Sequence, residues 1–352
     1  MRSKPLLVLC LFWVLLSGLN VRADMVTDLY SATVSVADQG SNALAGASRR
    51  GLSEVLVKVT GSRAVLKSPA ATEALQSARG QVQRFAYVRN KPPEPPLSVR
   101  VEFDSVWVMG IVRRSGAPLW TANRPVVLAW VVMEGAEGAE GKQFVTAEGT
   151  PDQADLLRAA FSRRGVPLQL PVFDLADMAA VTPDAAWRLD SAALAAASAR
   201  YKVNHVVAAR MTTLTNGETT GDWSYQFEGE RINRSLSVSD MAAFYASGAG
   251  LVADDMAARY AVLPRADGEG EIHMLVTGVT SYADYASVVR FLEDLELVEA
   301  ATVLRVQGSQ LELSLRASVD AAQLANLVAL NDRLLLMPAA GTTAELSYQW
   351  RN

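Results

Sequence analysis

Apolar and polar residues alternate with period two near the start of the chain, and the pattern then changes to helical spacing. Tyr30, Ala32, Val34 and Val36 alternate with serine and threonine, which predicts a half-buried strand. Residues 41–61 carry apolar side chains at helical spacing and end at a glycine. The following residues complete a first predicted unit: a helix starting at Ser68 and Pro69, strands over 83–88 and 97–103, and a helix over 105–115.

The pattern of a second unit begins with an unbroken apolar run over residues 126–133. Such a run is typical of a strand that is covered on both faces. The remaining spacing predicts helices over 152–164 and 191–201, strands over 166–173, 203–211, 223–227 and 232–238, and a long helix over 240–260. Ser239 is the expected N-cap of that long helix, and the unit ends near Pro264.

The last eighty residues have the most regular pattern of the chain. Strands are predicted over 272–279, 301–306, 311–316 and 333–337, with helices over 281–295 and 319–330. This β-α-β-β-α-β order predicts a ferredoxin-like module. The predicted fold class is therefore α+β and multidomain, with helices packed on small mixed sheets and domains over residues 24–120, 121–264 and 270–352.

The first 23 residues have the pattern of a secretory signal peptide. Arg2 and Lys4 precede an apolar segment over residues 6–19, and small residues lead to an expected cleavage site after Ala23. The alternative is an uncleaved inner-membrane anchor, but the segment is shorter than the roughly 20 apolar residues that span a bilayer. We therefore expect a periplasmic protein with no stable membrane span. Cleavage removes Cys10, the single cysteine, so disulfides are not expected to hold the mature chain together.

Charge and composition exclude several classes of function. The formal net charge is −4, which does not suit the neutralisation of nucleic-acid phosphates. With only His205 and His273, the chain offers little material for histidine-based catalysis or metal binding, and we expect neither cofactor nor metal. Residues 248–253 match a dinucleotide-binding pattern, but they lie within the predicted long helix rather than at a strand-to-helix turn. The chain is therefore not expected to be an enzyme.

Charged residues nevertheless leave alternatives open. Glu228 and Glu230 flank a glycine and could act as the paired carboxylates of a glycan or peptidoglycan hydrolase, although tips of a hairpin are the favoured interpretation. Three arginine pairs, at residues 49–50, 113–114 and 163–164, each precede a glycine. They could bind anionic lipid or glycan, but a favourable interaction with helix C-termini is the favoured interpretation.

The segment LWTANRPVVLAWVV, residues 119–132, is the most distinctive stretch of the chain. Together with GLSEVLVKVTG at 51–61 and FDSVWVMGIVRRSGAPLW at 103–120, it resembles an exported proteobacterial family catalogued only as a domain of unknown function, numbered two thousand and sixty-six. The resemblance extends to about residue 264 and implies neither catalytic residues nor a known substrate. The second unit is also similar to small exported domains of envelope assembly factors, such as lipoprotein activators of cell-wall synthases.

Trp120, Arg124 and Trp130 are the candidate binding residues in this segment. Pro125 can begin a strand and forces Arg124 into extended geometry, so the segment is interpreted mainly as a seam between two domains, where grooves often form. We expect a non-catalytic envelope protein that binds a partner protein or a glycan through an exposed strand edge or an inter-domain groove. A small-molecule pocket lined by Trp107, Trp120 or Trp130 is a further alternative.

Overall fold

The chain folds into small mixed sheets covered by helices, as the computed structural model shows. The structure describes residues 23–90, 96–134, 141–265, 270–330, 333–338 and 344–351. The predicted signal segment, apart from Ala23, lies outside the described residues, and so do parts of the proline-rich, glycine-acid and linker segments at 91–95, 135–140 and 266–269. The α+β class expected from the sequence is confirmed.

The first sheet is antiparallel and three-stranded, in the order β2-β4-β3. Its strands and the surrounding elements are β1 (Ala23–Met25), β2 (Ser31–Ser35), α1 (Ser41–Thr60), α2 (Pro69–Ser77), β3 (Val82–Arg89), β4 (Leu97–Phe103) and α3 (Ser105–Ser115). Ser68 caps α2 through its side chain, and Gly116 ends α3 in the left-handed conformation, as the sequence predicts. Helix α1 packs on the sheet through buried residues that include Leu52 and Val55.

The second sheet contains strands of both directions in the order β11-β10-β9-β6-β7, with β8 also paired to β6. Its elements are β5 (Asn123–Pro125), β6 (Val127–Glu134), β7 (Lys142–Phe144), α4 (Pro151–Arg163), β8 (Leu168–Gln169), α5 (Leu175–Ala180), α6 (Pro183–Trp187), α7 (Ser191–Ser198), β9 (His205–Thr213), β10 (Thr219–Phe227), β11 (Glu230–Val238) and α8 (Met241–Tyr260). Strand β5 lies outside this sheet and pairs with β1.

Strand β6 is covered on both faces, which confirms the interpretation of its unbroken apolar run. Val127, Ala129 and Val131 face a core built with α4 and α8. Leu128, Trp130 and Val132 face a second core, to which α6 and α7 contribute.

Two local predictions for this region were wrong, and two helices were not predicted. Asp240, not Ser239, caps α8, because the Asp240 carboxylate accepts the Ala243 amide hydrogen at 2.8 Å. The strand expected over residues 166–173 shortens to β8, since Pro167 and Pro171 cannot donate to a ladder. Helices α5 and α6 were not predicted; each is short and begins after a capping side chain.

The third sheet has five strands in the order β13-β14-β12-β16-β15. Its elements are β12 (Gly270–Thr277), α9 (Tyr282–Glu293), β13 (Val298–Gln307), β14 (Gln310–Ala317), α10 (Ala321–Val328), β15 (Leu334–Leu336) and β16 (Leu346–Trp350).

The predicted β-α-β-β-α-β sequence of elements is present from β12 to β15, but the four-stranded ferredoxin-like arrangement is not what the structure shows. Strand β16 inserts between β12 and β15, parallel to β12 and antiparallel to β15. In this position Leu346, Tyr348 and Trp350 are all buried and add apolar side chains to the core, which stabilises the insertion.

A close contact between α8 and β10 explains a glycine inside the long helix. A Cβ atom at Gly248 would lie 2.3–2.5 Å from ring atoms of Trp223, whereas a Cβ atom at Gly46 in α1 would meet nothing within 4 Å. The dinucleotide-like pattern at 248–253 lies inside α8, and its first glycine, Gly248, allows the helix to pack closely against Trp223.

Gly248→Ala is expected to destabilise the fold by about 1–3 kcal/mol, because the added methyl group overpacks a rigid indole. Gly46→Ala is the matched control in another helix and is expected to be neutral or to stabilise by up to about 1 kcal/mol. Urea unfolding followed by circular dichroism measures both. Equal effects of the two substitutions would show that the Trp223 contact is not restrictive.

Candidate functional site

Residues 119–125 form the junction, a segment that contacts elements of all three large sheets. The apolar side chains around it belong to two clusters: Leu119 packs with residues of the first and third sheets, and Trp120 packs in the core of the second sheet. Besides the pairing of β5 with β1, the contacts of the junction include the Leu119 bridge to Val262, Trp120 N to Val59 O at 2.8 Å, Val26 N to Ala122 O at 3.0 Å, Ala122 N to Glu296 Oε1 at 2.8 Å, and Asn123 Nδ2 to Leu327 O at 3.3 Å.

Arg124 is the central side chain of the junction and is fully buried. Its guanidinium carbon lies 3.7 Å from the centre of the Trp120 ring. A guanidinium has five N–H groups, and here all five donate to backbone carbonyls. The acceptors are the carbonyls of Thr121 at 2.8 Å, Arg164 at 3.3 Å, Gly165 at 2.9 Å, Lys58 at 2.8 Å and Trp120 at 2.7 Å.

Helix ends compensate the buried charge of Arg124. Lys58 lies in the last turn of α1, and Arg164 caps the C-terminus of α4, so the guanidinium receives the negative ends of two helix dipoles. Burial lowers the pKa of Arg124 to about 9, and Glu296 opposes this shift, so the guanidinium remains protonated at neutral pH. Gly165 allows the close approach, because a Cβ atom there would lie 2.3 Å from Arg124 Nη1.

The structure does not bring the three predicted binding residues together at a surface. Trp120 and Arg124 are enclosed at the junction, and Trp130 is fully buried on the other face of β6. The Trp130 indole donates to Ser198 Oγ at 3.0 Å. Trp107 stacks on Phe103 in the first core, so no pocket is shared by the three tryptophans. The interpretation of the segment as a seam accounts for these positions.

A groove of about 690 Å³ opens beside the junction, and we take it as the candidate functional site. One wall consists of β2 and α1, and the other consists of α4 and α8. Five cationic and two acidic side chains line it: Arg50, Lys58, Arg63, Arg163 and Arg164, with Asp28 and Glu54. The lining is thus net positive in a chain whose formal net charge is −4.

Lys58 and Glu54 lie one helical turn apart on the α1 wall of the groove. Lys58 is 2% exposed, and its ammonium donates to the carbonyls of Ser31 at 2.9 Å and Asp28 at 3.3 Å. Burial lowers the pKa of Lys58 and raises that of Glu54, while the nearby Lys58 and Arg163 act to lower the Glu54 pKa. Lys58 also joins groove and junction, because its own carbonyl accepts from Arg124.

The arginines of the groove differ in whether their side-chain N–H groups form hydrogen bonds within the protein. Arg50 donates to Ser35 O at 2.8 Å, and Arg164 donates to Gly61 O at 2.9 Å and to the Asp254 carboxylate at 2.8 Å. Arg63 and Arg163 are exposed and make no side-chain hydrogen bond or ion pair to any described residue. Two of the three arginine pairs noted in the sequence therefore contribute to one groove, although each pair lies on a different wall.

A second hollow, of about 810 Å³, is lined by residues 146–149 and 167–173 with Val126 and Arg158. Of the described residues that line it, Glu148 and Arg158 are the charged ones. Because seven charged side chains line the groove and two line this hollow, the groove is the stronger candidate.

The other candidate catalytic residues have structural roles. His205 is buried, stacks on Phe227 at 4.1 Å, and forms hydrogen bonds with the hydroxyls of Tyr225 at 2.6 Å and Tyr260 at 3.1 Å. Glu228 lies in a hairpin turn with a positive φ of 48°, and Glu230 forms an ion pair with Arg259. Among the described residues, no group of three or more histidines, cysteines or acids is arranged to hold a metal ion.

In the comparison with known protein families, part of the chain matches a family of unknown function. The family model described as Domain of unknown function (DUF8605) matches residues 23–121. No curated protein matches the chain. A family of unknown function agrees with the resemblance seen in the sequence, whereas the particular family named there stays a prediction.

Two solved structures are similar in part. The LpoB C-terminal domain from Salmonella enterica is 13% identical, covers 33% of this chain and 82% of its own, and has a TM-score of 0.22. The crystal structure of an uncharacterized protein is 13% identical, covers 39% of this chain and 91% of its own, and has a TM-score of 0.18. Both TM-scores are too low to indicate a shared fold. No described helix has the length and apolar character needed to cross a membrane.

Arg124→Lys is expected to destabilise the protein by about 3 kcal/mol or more, because an ammonium has three donors and leaves buried carbonyls unpaired. Arg113→Lys is the control, since Arg113 is exposed in the last turn of α3. Chemical unfolding of both variants measures the difference. A loss for Arg124→Lys no larger than that of the control would show that the five hydrogen bonds do not support the fold.

Acid is expected to destabilise the protein through His205. Burial lowers the pKa of His205 from 6.5 to about 4, so the unfolded state binds a proton first. The stability that the neutral imidazole contributes is present above pH 6.5 and is lost as pH falls towards 4, by on the order of 3 kcal/mol.

The measurement is the free energy of unfolding between pH 7 and 4 for the native chain and for His205→Gln. The difference in stability between the two proteins should shrink across this window. A difference that is constant with pH would contradict the assignment of this pH dependence to His205.

Proposed function

We propose that the chain is a non-catalytic binding or scaffold protein of the bacterial cell envelope, and that the groove beside the junction receives its partner. The observation that supports this proposal is the net positive lining of the groove between β2 and α1 on one side and α4 and α8 on the other. Its volume lies within the roughly 300–1,000 Å³ of typical binding clefts. The partner is an envelope protein or a glycan, with no nucleic acid, no cofactor and no stable membrane span.

The proposed location is the periplasm, reached by means of the cleaved signal peptide at residues 1–23. An uncleaved inner-membrane anchor is the alternative. The three large sheets with their helices are proposed as the three domains, over residues 24–120, 121–264 and 270–352. Membership of the exported family numbered two thousand and sixty-six belongs to the same proposal, and so does a ferredoxin-like module over residues 270–352, enlarged by the inserted strand β16.

The positions of the acidic residues favour binding over hydrolysis. Glu230, the residue that a hydrolase would need free, forms an ion pair with Arg259. The two acids of the groove, Glu54 and Asp28, both lie near Lys58, and Arg163 is also close to Glu54, so cations accompany both carboxylates. A hydrolase acting through Glu228 and Glu230 is therefore the weaker alternative, and no observation favours a pocket built from the tryptophans.

A photo-crosslinking residue at Ala246, on the α8 wall of the groove, is expected to capture a defined partner in intact cells. Ala246 is exposed and lines the groove, so the probe replaces no packed side chain. The readout is the set of crosslinked species after illumination, resolved by mass.

The matched control carries the same probe at Glu73, which is exposed on α2 and does not line the groove. A crosslinked species that forms from position 246 and not from position 73 supports the proposal. The same species from both positions, or none from either, contradicts a partner in the groove.

A further inference from the structure

Strand β2 is an edge strand, and its free edge lines the groove. The first sheet has the order β2-β4-β3, so β2 has no second neighbour among the described strands. Phe103 N donates to Tyr30 O, and Val36 N donates to Leu97 O, both at 3.0 Å. Because backbone groups in an antiparallel ladder alternate in direction, Ala32 and Val34 also face β4. The backbone groups of Ser31, Thr33 and Ser35 therefore face away from β4.

Cationic side chains occupy the two ends of this free edge. Lys58 donates to Ser31 O, and Arg50 donates to Ser35 O. Such occupation protects an edge strand against indiscriminate pairing. The N–H and C=O of Thr33, an exposed residue between the two ends, are left for an external backbone.

Two arginine side chains of the groove are available to a ligand. Arg63 follows α1, and Arg163 ends α4, and both line the groove without a side-chain hydrogen bond or ion pair to a described residue. A guanidinium is suited to carboxylate oxygens, which it can bind in a bidentate manner. The net positive charge of the groove lining therefore favours an acidic ligand.

The rest of the lining favours a peptide over a sugar. Small side chains form much of the opposite wall: Ala159, Ala160, Ser162, Ala242 and Ala246. Among the described residues that line the groove there is no aromatic ring, and so none that could serve as a flat apolar platform for a pyranose ring. A wall of small residues facing a free strand edge leaves room for an extended backbone.

We infer that the groove binds an extended acidic segment of a partner protein, which pairs its backbone with Thr33 and places carboxylates at Arg63 and Arg163. This inference rests on the proposed function, because it names the chemistry of the partner at the same groove. Recognition is then of the strand-addition kind, in which backbone hydrogen bonds give affinity and side chains give selectivity.

The test uses the full mature chain and a fluorescent peptide of about ten residues that alternates glutamate and threonine, with an alternating glutamine and threonine peptide as control. Fluorescence anisotropy should show binding of the acidic peptide alone. Arg63→Gln and Arg163→Gln should each weaken binding roughly tenfold, the loss expected for one charge-assisted contact. Arg113→Gln, at an exposed arginine outside the groove, should leave binding unchanged.

Thr33→Pro tests the backbone contact, because proline removes the outward N–H and is tolerated at a strand edge. It should abolish most of the binding, whereas Thr33→Ala should retain it. Urea unfolding shows whether Thr33→Pro is folded. If this variant is unfolded, a photo-crosslinking residue at position 33, which keeps the backbone N–H, is used instead, and it should capture the acidic peptide and not the neutral one.

Three outcomes would overturn the inference. Equal binding of the acidic and neutral peptides would remove the charge requirement, and unchanged binding by a folded Thr33→Pro would remove the strand pairing. Binding of polygalacturonate, an acidic glycan, in place of the peptide would exclude a peptide while leaving the groove as the binding site. Only the absence of a position-specific crosslink from Ala246 in cells would count against the proposed function itself.

Discussion

The buried guanidinium of Arg124 is the interaction on which the arrangement of the sheets depends. Its five donors are satisfied by carbonyls from the junction, from the last turn of α1 and from the end of α4. A buried charge without such partners would cost several kcal/mol, so any relative displacement of α1 and α4 is penalised at this residue. The same constraint fixes the groove, because α1 and α4 supply its two walls and Lys58 contributes to both regions.

Periodicity predicted most of the fold because most elements have one exposed side. The alternation of β2 and the spacing of α1 and α4 follow directly from residues that face either solvent or a single core. Predictions failed where the outcome depends on tertiary context. Strand β16 is short, and its insertion beside β12 depends on a partner seventy residues away in the chain.

The candidate site could be predicted from the sequence less well than the fold. The seam at residues 119–125 could be located from Arg124 and Pro125, but the tryptophans and the arginine are packed inside it rather than displayed. The groove needs residues from three distant stretches of the chain, β2 with α1, then α4, then α8, and no local pattern identifies such a convergence. The arginine pairs at 49–50 and 163–164 were the sequence signal that reached the groove, although helix C-termini were the favoured interpretation of both.

The acceptors of Arg124 also bear on how the chain folds. The Lys58 and Gly165 carbonyls lie 66 and 41 positions from Arg124 in sequence, and each belongs to the end of a different helix. Neither end presents its free carbonyls at a defined position until its helix has formed. Complete burial of the guanidinium therefore requires both helix ends to be formed, so this one side chain couples the folding of the two flanking regions.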